Sequence, residues 1–185
     1  IANTAIARGM LGKKGAGLLP LRGHSNVQGM GSVGVVPALK GEMAKSIEKV
    51  LGVQLPTTDG FDTMAGMQAA FQDNVDFAMC LGGNLVGSNP DTKFAIEAMK
   101  RIGLVTYLST TLNQGHFLGR GSETIILPVL ARDEELQITT QESMFNFVRR
   151  SSGGNSRHKE PRSEVDIIID IARDGIGKIE WEQFK

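Results

Sequence analysis

A chain of 185 residues with 41% hydrophobic content has room for one domain with its own core, which excludes a disordered polypeptide. Its 20 Lys and Arg are matched by 20 Asp and Glu, so no whole-chain field draws in phosphate, and general nucleic-acid binding is excluded with it. The single cysteine, Cys80, cannot close an internal disulfide, build a zinc ribbon or hold an iron–sulfur cluster, and a reducing, cytoplasmic setting is expected.

The chain opens at Ile1 without an initiator Met, inside an amphipathic helical pattern (Ile1, Ala5, Ile6, Met10), and we expect a piece cut from a longer polypeptide. No apolar stretch approaches the roughly 20 residues that span a bilayer and no secretory signal precedes the pattern, so a soluble protein without membrane insertion is expected. Next comes LRGHSNVQG, Leu21 to Gly29, which gathers a cation, an imidazole and two amide side chains between glycines. Arg22 offers a planar fork of donors for a carboxylate or phosphate, His24 a proton or a hydrogen bond, and Asn26 and Gln28 fix ligand edges. Chemistry alone leaves two readings open: a ligand loop, or a glycine-rich turn whose polar groups satisfy their own backbone.

GMGSVG, Gly29 to Gly34, matches the dinucleotide fingerprint G-x-G-x-x-G letter for letter, but a polar stretch precedes it and Pro37 interrupts the helix it needs, so an NAD site is not expected. Residues 38–51 and 62–72 read as helices, the second capped by Asp62. Residues 75–128 then alternate apolar runs with helical patterns as β-α-β-α-β. VDFAMCL (75–81) is expected as a strand buried on both faces and stopped by Gly82-Gly83; Asn89 and Pro90 open a helix with the stripe Phe94, Ala95, Ala98, Met99 and Ile102; LVTYL (104–108) and TIIL (124–127) are the next strands. Helix-length crossovers imply parallel pairing, hence an α/β, three-layer Rossmann-like domain with a mainly parallel sheet, a single domain over 1–185 whose nucleotide-binding core is about 75–128. Residues 149–162 carry five Arg and Lys among Ser, Gly, Asn and Pro and read either as a solvated loop or as one that touches an anion. Ser163 and Asp166 have capping-box spacing before VDIIIDIA, which Gly175 ends.

In an open parallel sheet, ligands sit outside the carboxyl ends of the strands, which places Gly82, Gly83, Asn84, Ser109 and Thr110 on one rim. His116 and His158 lack metal-ligand spacing and are expected at the surface or in caps. Cys80, inside an apolar run, is expected as a small buried hydrophobe.

Taken together, the opening stretch through Gly34, LPTTDG (Leu55 to Gly60), LGGNLVGSNPDT (Leu81 to Thr92), LVTYLSTTLNQ and ETIILPVLARDEE resemble the molybdopterin oxidoreductase family, and within it the formate-dehydrogenase-like alpha subunits. The resemblance implies a large multidomain enzyme holding molybdenum between two pterins, each extended by a guanine nucleotide: bis(molybdopterin guanine dinucleotide). This chain would be its central α/β domain, the remaining domains of the same polypeptide its partners, and a small anion such as formate the substrate. By the same likeness, Arg22 and His24 fall beside the substrate as catalytic residues, and Gly23, Asn26, Gln28 and Gly29 fall on the pterin-side loop. Formate dehydrogenases generally have Gln where this chain has His24. Gly83 and Asn84 match the nucleotide-contacting turn, Ser109 the polar residue closing the second strand, and Glu164 the guanine-binding acid at the head of the late helix. No metal ligand is expected within this chain, which by itself would be inactive. The rival readings are a noncatalytic module that binds a purine nucleotide and a plain interaction domain.

Overall fold

The computed structural model describes residues 1–19, 23–145 and 147–176. A short first helix, α1 (Ala2–Ala7), buries Ala5 alone, while Ile1 and Ile6 of the expected apolar stripe face solvent. Two more helices follow, α2 (Val27–Ser32) and α3 (Gly41–Leu51), the latter stopped by Gly52 at a left-handed φ of 65°. The next, α4 (Thr63–Phe71), starts where the sequence placed it: Asp62 accepts the Ala65 N–H at 2.8 Å.

Three parallel strands come next, β1 (Phe77–Leu81), β2 (Leu104–Ser109) and β3 (Glu123–Pro128), in spatial order β1-β2-β3. Leu81 lies opposite Leu108, and Ser109 opposite Pro128, so all three carboxyl ends reach one edge. The first crossover holds α5 (Leu85–Ser88) and α6 (Thr92–Met99), the second α7 (Gln114–Leu118). Asn89 does not cap α6 as expected. It follows α5, and Asp91 caps α6 by accepting the Phe94 N–H at 3.0 Å, because Pro90 has no N–H and the carboxylate stands three residues before the donor it needs. His116 is buried and does serve as a cap: Nδ1 accepts the Asn113 N–H at 3.1 Å while Asn113 Oδ1 accepts the Gly115 N–H at 2.8 Å.

Packing follows from strand alternation. Val105 and Tyr107 of β2 face Met67 and Ala70 of α4, Val86 of α5, and Ala95, Ala98 and Met99 of α6; the alanines let α6 lie close on the sheet. Leu108, on the other face, packs with Val129 and with Ile167 of the last helix, α8 (Glu164–Ile176). Helices therefore cover both faces of a parallel sheet, the three-layer α/β arrangement that the alternating pattern implies. The Tyr107 hydroxyl donates to the Gly119 carbonyl, and burial, with Cys80 adding to it, pushes its pKa up to about 12. Cys80 packs against the first cluster, and burial raises its thiol above the usual range, as suits a small hydrophobe. One expectation fails: β1 is not buried on both faces. Phe77 is 51% exposed and Leu81 52%, because β1 is an edge strand and the cluster at α8 reaches only Met79 on that face of it.

After β3 the backbone forms a 3-10 turn (Arg132–Glu134) and an antiparallel hairpin that the sequence reading missed, β4 (Thr139–Glu142) and β5 (Val148–Ser151). The basic stretch 149–162 thus begins in a strand, and two of its cations are committed within the chain: Arg157 pairs with Asp133 and Glu134, and Arg162 pairs with Asp170. A parallel bridge from Val129 to Arg162 extends the sheet edge to the start of α8, where Ser163 Oγ accepts the Val165 N–H at 3.2 Å; the helix passes Gly175 and reaches Ile176.

Glu134, nearly buried, accepts from the Arg157 N–H, the Ala131 N–H and the Arg157 guanidinium, and these hold its carboxyl below the usual glutamate range. Asp133 is lowered as well, first by its hydrogen bond to Arg157. Depressed carboxylate pKa values give stability that is present above the unfolded-state pKa and lost as pH falls through the folded one. Arg157→Gln should therefore lower stability at neutral pH and flatten its decline in acid, which urea titrations across the acid range would measure. An unchanged acid slope would reject the assignment.

Candidate functional site

A cavity of about 580 Å³ forms a groove between the segment around His24 and the β4–β5 hairpin. Four expected site residues line it, Gly23, His24, Asn26 and Gln28, against Gln141, Glu142, Phe145, Phe147 and Arg149 from the hairpin. Arg22, the residue on which the sequence reading placed substrate contact, lies outside the described residues.

Local geometry explains how the two walls are joined. Asn26 stands at the N-terminus of α2 with φ 61°, and its Oδ1 does not cap that helix but accepts the Glu142 N–H at 2.8 Å, across 116 positions of sequence. A Cβ at Gly29 would lie 2.9 Å from Asn26 Cγ, so this glycine keeps room for the amide that holds the hairpin. Gly29 does not itself line the groove. The G-x-G-x-x-G letters are resolved the same way: Gly29 and Gly31 lie inside α2 and Gly34, at φ 90°, follows it, so no strand feeds a phosphate turn there.

The second set of expected residues lies along the carboxyl edge of the sheet. Gly82 and Gly83 turn with φ of 62° and 70°, and the space where their side chains would stand is open, so a ligand can approach the backbone. Asn84 Oδ1 accepts the Gly87 N–H at 2.9 Å, and Cβ atoms at Gly87 or Gly115 would run into this same amide. Ser109 Oγ donates to the Thr111 carbonyl at 2.8 Å. Both polar residues therefore stand at the rim with part of their capacity spent on local turns. Glu164 reaches the same edge through the Val129–Arg162 bridge. Its half-buried carboxylate has no hydrogen-bond or ion-pair partner among the described residues. Burial first, and the like charge of Glu135 second, raise its pKa. A cleft of about 150 Å³ opens beside it, lined by Leu130, Glu135, Gln137, Ser163 and Asp166.

The fold thus gathers the expected residues into two places, a groove and a rim. Sequence reasoning missed Glu135 and Phe147, and held Arg149 only as part of a basic stretch that was either solvated or in touch with an anion. The alternation in TTQE and VRRS was available as a strand signal, but no Gly, Pro or Asn-Gly marks the turn between them. Among the described residues no group of three or more His, Cys, Asp and Glu could hold a metal ion, and no helix is long and apolar enough to cross a membrane.

No protein-family model matches the chain. It is 34% identical over 194 aligned residues, covering 100% of its length, to an uncharacterized oxidoreductase of Mycobacterium bovis. It is 32% identical over 191 residues, 98% of its length, to protein YdeP of Escherichia coli. Similarity extends to the alpha subunit of a formate dehydrogenase from Methanocaldococcus jannaschii, at 27% over 158 residues, 82% of this chain and 23% of that subunit. The chain spans about a quarter of the length of the first two relatives, 25% of each. It is therefore homologous to oxidoreductases and, more distantly, to formate-dehydrogenase-like proteins.

Proposed function

We propose that this chain is the α/β portion of a molybdopterin-dependent, formate-dehydrogenase-like oxidoreductase, and that it holds part of a bis(molybdopterin guanine dinucleotide). The observation that carries the reading is Glu164. A half-buried carboxylate with no donor among the described residues, pressed by a second carboxylate at the carboxyl edge of a parallel sheet, is stabilised by any ligand edge that brings two N–H groups. Guanine presents that pair on N1 and its exocyclic amine, whereas adenine does not. The open backbone at Gly82 and Gly83 gives the rest of the nucleotide room to approach, with Asn84 and Ser109 beside it. The groups on offer here, open backbone at Gly82 and Gly83 and the Glu164 carboxylate, suit the organic part of the cofactor.

When bound, the cofactor supplies the electron transfer. The chain's own residues bind and orient. Asn26 fixes the hairpin across the groove, Gln28 lines its wall, and His24 offers a hydrogen bond or a proton to a small anion such as formate. Arg22, outside the described residues, is assigned the anion itself on the strength of the resemblance. The remaining domains of the same polypeptide complete the site, residues 1–185 alone are expected to be inactive, and the setting is cytoplasmic.

The test is to purify the full-length protein and measure molybdenum, pterin and released guanine nucleotide per chain; absence of pterin from a folded, freshly isolated sample would reject the reading. Glu164→Gln should lower guanine-nucleotide retention at least tenfold, about 1.4 kcal/mol, because an amide offers one acceptor where the base edge needs two. In the unmutated protein, retention should weaken as pH falls through the raised Glu164 pKa, since the protonated acid loses acceptor capacity. Quantifying nucleotide after dialysis at several pH values checks both.

A further inference from the structure

We infer that Arg149, on the hairpin wall of the groove, is an oxyanion-orienting residue that works opposite the His24 segment. In the antiparallel register Arg149 stands across from Gln141 and Arg150 across from Thr140, so the two neighbouring arginines take opposite faces of β5. Arg149 and Gln141 both line the groove; Arg150 does not. The chain commits other late cations to its own carboxylates, Arg157 to Asp133 and Glu134 and Arg162 to Asp170, whereas Arg149 has no carboxylate partner among the described residues.

What Arg149 does have is a ring. Its guanidinium carbon lies 5.4 Å from the centroid of Phe147, two residues back on the same face, so the planar fork rests against an aromatic while its N–H donors stay unspent. Stacking of this kind reduces the rotamer freedom that an exposed arginine would otherwise lose on binding. Glu142 also lines the groove, and its backbone N–H is the group that Asn26 holds, so Arg149 is the one Lys or Arg among the described lining residues. Capture therefore rests on directed, two-pronged hydrogen bonds and not on long-range attraction, which selects a carboxylate or phosphate group over a halide. The Asn26 bond to the Glu142 N–H holds this wall at a fixed distance from His24. An oxyanion held by Arg149 is thus presented to the segment that carries Gly23, His24 and Gln28.

The inference rests on the groove assigned above, and the ligand has two sources: a small free carboxylate, or a phosphate of the bound cofactor. The experiment compares the full-length protein with R149Q, R149K and R150Q, titrating each calorimetrically with formate and with inorganic phosphate and measuring molybdenum and guanine nucleotide per chain. Melting temperatures of R149Q and R150Q should agree, since both residues are exposed strand positions. A tenfold or greater loss of formate affinity in R149Q, a smaller loss in R149K and none in R150Q, at unchanged cofactor content, assigns the free carboxylate. Loss of cofactor from R149Q and not from R150Q, or of phosphate affinity alone, assigns the phosphate. If R149Q matches R150Q in every measurement, or the unmutated protein binds neither probe and carries no cofactor, the inference is overturned. An unmutated protein that lacks pterin but loses oxyanion affinity in R149Q would retain this site and discard the molybdopterin reading.

Discussion

Gly153→Ala should cost this protein about 3 kcal/mol or more of folding stability, the upper end of what overpacking usually does. The reason is backbone against backbone. A Cβ at Gly153 falls inside the van der Waals envelope of the Glu135 carbonyl oxygen, and one at the adjacent Gly154 would lie 2.7 Å from the Asp133 carbonyl oxygen. Neither neighbour is a side-chain tip that swings aside. Asp133 and Glu134 are moreover tied to Arg157, so moving the 133–135 backbone strains that ion-pair cluster as well. The control is Gly175→Ala, in α8 with open space around the added carbon, which should be neutral or stabilise by up to about 1 kcal/mol from helix propensity. Urea midpoints of the two variants measure the contrast. Equal midpoints would mean that the glycine pair is not packed as described.

Asn26→Ala should cost about 2 kcal/mol, from two sources that other variants separate. The Glu142 N–H loses its acceptor in a partly buried position, worth about 1 kcal/mol or somewhat more, and a left-handed φ of 61° that asparagine tolerates becomes strained by about 1 kcal/mol in alanine. Asn26→Gly removes the hydrogen bond but relieves the strain, so it should cost about half as much. Asn26→Asp keeps an acceptor oxygen and should stay near the unmutated value. Gly29→Ala should cost about as much as Asn26→Gly, because the new carbon displaces the amide from its bond while asparagine keeps the left-handed position. Hydrogen exchange at the Glu142 amide gives a local readout: protection should fall in the Ala, Gly and Gly29 variants and persist in Asp. Loss of protection in Asn26→Asp would show that something other than the acceptor holds the hairpin.

The sequence by itself determined the parallel core of this protein. Short apolar runs at 75–81, 104–108 and 124–127, separated by helix-length segments, admit few arrangements other than parallel strands with crossovers, and local caps such as Asp62 act over three or four residues. Periodicity and capping are short-range physics, so they are legible in one dimension. The choice of Asp91 over Asn89 was legible too, from the lack of an N–H on Pro90, although it was read wrongly. The rim followed from the core, since strand direction fixes where Gly83, Asn84 and Ser109 end.

Tertiary structure alone decided the rest. Asn26 reads as a ligand contact in its own loop, yet its Oδ1 is used by the Glu142 N–H, a partner 116 positions away that no local pattern announces. Nothing local marks Gly29, Gly87 and Gly115, yet the first leaves room for the Asn26 amide and the other two for that of Asn84. Arg149 and Arg150 are indistinguishable neighbours in sequence until the register of β5 against β4 turns one toward the groove and the other away. Glu164 gains its raised pKa only when the fold buries it beside Glu135, 29 positions earlier in the chain. Burial, close approach and like-charge proximity are properties of pairs of groups in space, and the energies they carry appear only once the chain has folded back on itself.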